Sequence, residues 1–162
     1  MSLRSLSAVV CIGALALSAC AVREERVVYQ QPAPVSRPVP VYAVQAAGAS
    51  ATHDGWHAGK RLVTDSANTI ADGLATRSSY EMTFDALREG LADFITVTDT
   101  EIANAMRLLL RSTHSLVEGA GAAGMAGLLA LRERLAGQRV GIVLSGGNVD
   151  ERTLTRVLNG DV

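Results

Sequence analysis

The sequence predicts an α/β fold. The expected form is a partial three-layer fold with a short, mostly parallel sheet, preceded by a signal helix and a disordered tether. Three observations predict it. From residue 38 onward, β-branched runs alternate with stretches of helical periodicity, the pattern of strands joined by crossover helices. The chain is 48% apolar and 19% charged with a net charge of −1, which excludes a disordered chain and gives no basic footprint for nucleic acid. Aromatic residues make up only 4%, so the core has to be built from Ala, Leu, Val, Ile and small residues. A chain of 162 residues suits one domain rather than two.

Residues 1–19 read as an export signal. Arg4 supplies the positive start and Leu6 to Leu17 an apolar run of signal length. Leu17-Ser18-Ala19-Cys20 resembles the lipobox of bacterial lipoproteins, which implies cleavage before Cys20, lipidation of its thiol and membrane anchoring facing the periplasm; the alternative is an uncleaved anchor over the uncharged stretch Ser5 to Val22. Cys11 would leave with the signal, so no internal disulfide would remain. Residues 20–37 read as a tether. The stretch QQPAPVSRPVP holds all four prolines of the chain, and prolines this dense favour extended, unpaired backbone.

The body, residues 38–162, opens on Val39-Pro40-Val41-Tyr42-Ala43-Val44, a β-branched run with its proline near the start and hence a strand. Tyr80 to Ala92 reads as a helix and Phe94 to Thr98 as a strand. Thr98 and Glu101 have capping-box spacing, so a helix begins there. Its apolar positions Ile102, Ala105, Met106, Leu109 and Leu110 follow the i, i+3, i+4, i+7, i+8 pattern of one buried face. Glu101, Asn104, Arg107 and Arg111 take the other side. A further helix is expected over Gly121 to Leu135. Arg139 to Leu144 reads as a strand buried on both faces. After the turn Ser145-Gly146-Gly147-Asn148, an Asn148–Glu151 cap starts a last helix to Leu158. Three strands are few for a parallel sheet, so the body reads as part of one.

Two motifs invite chemistry that their context does not support. Gly119-Ala120-Gly121-Ala122-Ala123-Gly124 matches G-x-G-x-x-G. A helix end precedes it instead of a strand, and no acid follows at the required distance. It reads as a small-residue helix face, and something close-fitting must sit against it. His53 and His57 stand four apart as in zinc-peptidase helices. Asp54 replaces the usual Glu, Gly55 weakens the helix, and no third ligand follows, so both read as exposed helix histidines.

Four strings occur in one order: TIADGLATR (Thr69 to Arg77), FITVTDTEIANAMRLLL (Phe94 to Leu110), LVEGAGAAGMAGLLAL (Leu116 to Leu131) and VGIVLSGGNVD (Val140 to Asp150). Together they resemble the C-terminal half of threonine/serine dehydratases, pyridoxal 5′-phosphate (PLP) enzymes of fold type II close to serine racemase. The resemblance implies a lyase that removes water and then ammonia from a small hydroxy amino acid to give a 2-oxo acid. It implies that Ser145 hydrogen-bonds the pyridine nitrogen of PLP, with Gly73, Glu118 and Gly146 also at the cofactor. A neutral hydroxyl tunes the ring differently from a carboxylate.

The departures from the family pattern bear on activity. The chain has a single lysine, Lys60, in HAGKRL. No S-F-K-x-R-type string is present to supply the Schiff-base lysine. The glycine loop for the phosphate and the segment that grips the substrate carboxylate are absent as well. Where the resemblance implies a cation site in residues 44–51, Gln45 and Ala51 stand in place of its acids, and neither supplies the charge a divalent ion needs. The expectation is therefore half an enzyme, inactive alone, with no catalytic residue assigned. The second expectation is a non-catalytic exported lipoprotein whose remnant domain binds a partner or associates with itself, and a mis-joined gene fragment is a third. The leader places the protein at a membrane. If residues 1–37 are an artefact, the family's cytoplasmic setting applies.

Overall fold

The computed structural model describes residues 39–162, which form the unit treated below. The export signal, the tether and Cys20 lie outside the described residues. The elements run β1 (Val41–Ala46), α1 (Ala51–Ala58), α2 (Glu81–Gly90), β2 (Leu91–Val97), α3 (Asp99–Thr113), α4 (Gly119–Ala130) and α5 (Glu151–Asn159), with single 3-10 turns at Ala47–Ala49 and Asp72–Leu74.

The sheet has two strands among the described residues. β1 and β2 pair in parallel, from Val41 opposite Leu91 to Ala46 opposite Val97, with one irregularity between Val41 and Tyr42. Parallel pairing requires a crossover, and α1, the 59–80 segment and α2 supply it. β2 starts earlier than the sequence pattern suggests. Ala92, expected at the end of a helix, is already in the strand.

The strand expected over Arg139 to Leu144 is not formed. The segment belongs to no ladder, and Val143 is 79% exposed and Leu144 40%. Its β-branched composition suits a strand, but a ladder also needs a partner, and no described strand pairs with it. It runs past α4 instead. A Cβ at Gly124 would stand 3.7 Å from the Ile142 Cβ and from the Val143 carbonyl oxygen.

α3 forms as its sequence demands. The Thr98 hydroxyl accepts from the Glu101 amide, and the Glu101 carboxylate accepts from the Thr98 amide at 2.7 Å. This reciprocal capping box satisfies two amides that the first turn would otherwise leave unpaired. Ile102, Ala105, Met106 and Leu109 are buried, with Ala103 beside them. Arg107 is not a plain surface residue: its guanidinium donates to the Val157 carbonyl and ties α3 to α5.

α4 begins at Gly119, two residues before the expected start, and ends at Ala130, short of Leu135. Its glycines sit where neighbours come closest. A Cβ at Gly127 would stand 2.4 Å from Cγ2 of Val44 on β1. One at Gly119 would stand 3.0 Å from the Cα of Ala71. The cap of α5 differs from expectation too. Asp150, not Asn148, accepts from the Thr153 amide, at 2.9 Å. The core gathers Ala46, Val97, Ile102, Leu109, Ala122, Ala126 and Val157 from β1, β2, α3, α4 and α5.

Candidate cofactor site

Three segments distant in sequence meet at the N-terminal end of α4. The first is residues 68–73. The Thr69 hydroxyl donates to Asp99 Oδ1 at 2.5 Å and the Ile70 amide to Asp99 Oδ2 at 3.0 Å. The Ala71 amide in turn donates to Thr69 Oγ1 at 3.1 Å. The 3-10 turn that follows carries Gly73, whose missing side chain leaves room for Ala120, 2.9 Å from where a Cβ would be.

The second segment is Leu116 to Gly121. Val117 is buried, and Glu118 is the residue before α4, with no side-chain bond to the helix amides. The third is Ser145 to Gly147. The Gly146 carbonyl accepts from the Glu118 amide at 3.0 Å. A Cβ on Gly146 would stand 2.5 Å from Glu118 Oε1, one on Gly121 2.9 Å from the Gly146 carbonyl oxygen, and one on Gly147 2.7 Å from the Leu116 carbonyl oxygen. Glycines at 121, 146 and 147 are thus what allow the two backbones to lie against each other.

A cavity of about 560 Å³ opens beside this junction, lined by residues 68–70, Asp72, Gly73, Asp99, Glu118 and the 148–150 turn. On its far rim, hydrogen bonding to Thr153 holds the Asp150 carboxyl below its ordinary range. Of the residues singled out from the sequence, Gly73 and Glu118 line the cavity, and Gly146 packs on Glu118 without lining it. Ser145 is exposed, next to Gly146, and is not part of the lining. Lys60 is exposed, follows α1 and does not line the cavity.

Sequence reasoning missed Asp99 and Thr69. The signal was available only in part: Asp99 is an acid in the first turn of a capped helix, which accounts for it without a distant partner.

Of the histidine pair, His57 is exposed as the sequence reading has it, and His53 is not. His53 Nδ1 lies 2.8 Å from Asp54 Oδ1, and its side chain is only 22% exposed. His57 Nε2 lies 3.0 Å from the Phe94 carbonyl oxygen, which fixes it as the donor of that bond. The two rings are 4.5 Å apart. α1 packs on β2 through these contacts, so the histidines act as helix-to-sheet anchors. Ser50 first, then His53, bond the Asp54 carboxylate and hold its pKa below the ordinary value. Gln45 is likewise structural: its side-chain oxygen accepts from the His53 amide at 2.9 Å. Ala51, the other residue considered for a cation site, is fully buried.

A parallel α/β layer with a cavity at the strand-to-helix connections is the setting in which such folds bind small ligands. The class it defines is an α/β domain with a small-ligand cavity at the end of its sheet. The chain belongs to the family described as pyridoxal-phosphate dependent enzyme, which it matches over residues 7–146. It is 34% identical over 120 residues to L-threo-3-hydroxyaspartate ammonia-lyase of a Pseudomonas species, a match covering 74% of this chain and 38% of that protein. Among solved structures, maize serine racemase aligns with a TM-score of 0.66 and 32% identity, over 76% of this chain and 40% of that one. The processed form of threonine deaminase isoform 2 from Solanum lycopersicum aligns with a TM-score of 0.69 and 27% identity, over 75% and 36%. The chain thus spans about two fifths of the length of these relatives.

Proposed function

We infer that residues 39–162 form the ring-facing part of a PLP-dependent lyase acting on small hydroxy amino acids. The observation that carries this reading is the convergence of Gly73, Glu118 and Gly146, far apart in sequence, at one end of α4. The residues present suit the cofactor. The missing side chains at 73 and 146 let Ala120 and the Glu118 carboxylate close in, which seats that carboxylate at the junction. Next to Gly146, the Ser145 hydroxyl is a neutral partner for a pyridine nitrogen, and Glu118 presents a carboxylate beside it. PLP, when bound, supplies an electron sink for the carbon that loses its proton.

In this reading, Ser145, next to the junction although outside the cavity lining, would accept or donate the hydrogen bond to the ring nitrogen, and Glu118 and Gly73 would border the ring. Segment 145–147, packed on 116–121, would cover one side of the site. The only lysine, Lys60, stands outside the cavity. The chain alone therefore holds the cofactor without turning it over.

Pyridoxine 5′-phosphate tests the binding part. It keeps the ring and phosphate but lacks the aldehyde, so it cannot condense with Lys60 or another amine. Titration followed by backbone amide NMR should move the signals of Gly73, Glu118 and Gly146. Shifts confined elsewhere would overturn the assignment. The catalytic part is tested with L-threonine, L-serine and L-threo-3-hydroxyaspartate in the presence of PLP. No 2-oxo acid should form above the free-PLP rate. Formation that disappears in Lys60→Ala would refute the inactive reading.

A further inference from the structure

We propose that Asp99 is the positioning residue that sets the cofactor-facing backbone of residues 69–73, acting through Thr69. The inference rests on the cofactor reading given above. Asp99 opens α3, outside the segments that meet at Glu118, and both its carboxylate oxygens are committed to one short stretch. Oδ1 takes the Thr69 hydroxyl at 2.5 Å and Oδ2 the Ile70 amide at 3.0 Å. The same Thr69 oxygen accepts from the Ala71 amide at 3.1 Å. One carboxylate thus orders three consecutive residues, two at the backbone, immediately before the turn that carries Gly73.

The opposite side of the stretch is held by shape. A Cβ on Gly119 would stand 3.0 Å from the Ile70 carbonyl oxygen and 3.0 Å from the Ala71 Cα, so α4 packs directly on that backbone. The stretch lies between the first residue of α3 and the first residue of α4. Sterics limit its approach to α4, and only the Asp99 carboxylate restrains it toward α3 by directed bonds. The placement is favourable for an anion: hydrogen bonds to a carboxylate are stronger than neutral ones, and the first turn of a helix favours negative charge. Removing the charge or the hydroxyl should release Gly73 from its position against Ala120 while leaving the core of α3, buried on its other face, unaltered.

The test uses the full chain with Asp99→Asn, Thr69→Val and Thr69→Ser, read by amide hydrogen exchange, pyridoxine 5′-phosphate affinity and thermal melting. Asp99→Asn keeps the shape of the side chain but cannot accept both bonds. Thr69→Val keeps shape and loses the hydroxyl. Thr69→Ser keeps the hydroxyl and should rescue. In the first two variants, exchange at Ile70 and Ala71 should quicken by about tenfold or more, as expected for loss of a bond to a charged group. Ligand affinity should fall by about as much, while exchange in the second half of α3 stays as in the parent chain. Thr69→Ser should match the parent in both readouts. Faster exchange with unchanged affinity would overturn the positioning role and leave a purely structural contact. Unchanged exchange at Ile70 and Ala71 would overturn it as well. If the parent chain itself takes up no pyridoxine 5′-phosphate, the cofactor reading falls and this role falls with it. If the parent binds and Asp99→Asn binds equally, only the role of Asp99 falls.

Discussion

Two alanine substitutions in α4 separate the steric demand of the sheet from the helical cost of glycine. Gly124 and Gly127 lie three residues apart in the same helix, and each loses roughly 1 kcal/mol of helix stability relative to Ala. Their surroundings differ. The Cβ of Gly124→Ala would meet the Ile142 Cβ and the Val143 carbonyl oxygen at 3.7 Å, ordinary contact distances. The Cβ of Gly127→Ala would meet Val44 Cγ2 at 2.4 Å, Cγ1 at 3.3 Å and Cβ at 3.4 Å. Val44 has little freedom to move away, because its side chain is β-branched and its strand is fixed by pairing to β2. Overpacking of this kind costs about 1–3 kcal/mol. Gly124→Ala should therefore stabilise the protein by about 0.5–1 kcal/mol. Gly127→Ala should range from neutral to about 2 kcal/mol destabilising after the same helical gain. Because the helical gain is common to both, the difference between the variants, about 1–3 kcal/mol, measures the contact with Val44. Urea denaturation followed by far-UV circular dichroism gives both free energies. In thermal scans the variants should separate by several degrees, at about 4 °C per kcal/mol for a unit of this size. Equal stabilisation by both would refute the direct seating of α4 on β1.

Thr98→Ala removes the hydroxyl half of the capping box and should cost about 1 kcal/mol in a urea melt, while Thr98→Ser should be nearly neutral. Acid should destabilise through Asp54 and Asp93. Asp93 is held below its ordinary range first by the Arg134 guanidinium at 2.5 Å, and Asp54 by Ser50 and then His53. Folded values below unfolded ones give stability that is fully present above pH of about 4 and lost as pH falls through the folded values. Urea midpoints should therefore hold between pH 7 and 5 and fall below about 4, with a shallower fall in Asp93→Asn. For the leader read from the sequence, Cys20→Ser should abolish incorporation of labelled fatty acid in a bacterial host. Label retained in that variant would refute lipidation at Cys20.

Legibility followed the range of the interactions. α3 could be read closely because its determinants are local: a capping pair three residues apart and an apolar stripe at helical spacing. The same reasoning misplaced the cap of α5 by two residues, since Asn148 and Asp150 are both competent and only the Asp150–Thr153 bond distinguishes them. The segment over Arg139 to Leu144 has strand composition, but a strand depends on a partner that composition does not encode. His53 looked like surface because its packing on β2 is not local; His57 is exposed as read, and only its bond to the Phe94 carbonyl was hidden. At the candidate site, the four ordered strings drew attention to Gly73, Glu118 and Gly146. Their approach to one another became visible only through the glycines that permit it. Asp99 was hidden because its partners lie about thirty residues back in the chain.

The parallel pairing of β1 with β2 also bears on the order of assembly. It joins positions about fifty residues apart, and closing a loop of that length costs on the order of 3.5 kcal/mol in chain entropy. α3 and α4 meet across a link from Thr113 to Gly119, for which the same relation gives about 1.4 kcal/mol. The helical pair can therefore form while the sheet is still open. Residues 69–73 dock on that pair through Asp99 and Gly119, across a loop of about thirty residues that costs on the order of 3 kcal/mol. The helices thus form a floor on which the turn carrying Gly73 can settle before the sheet is complete.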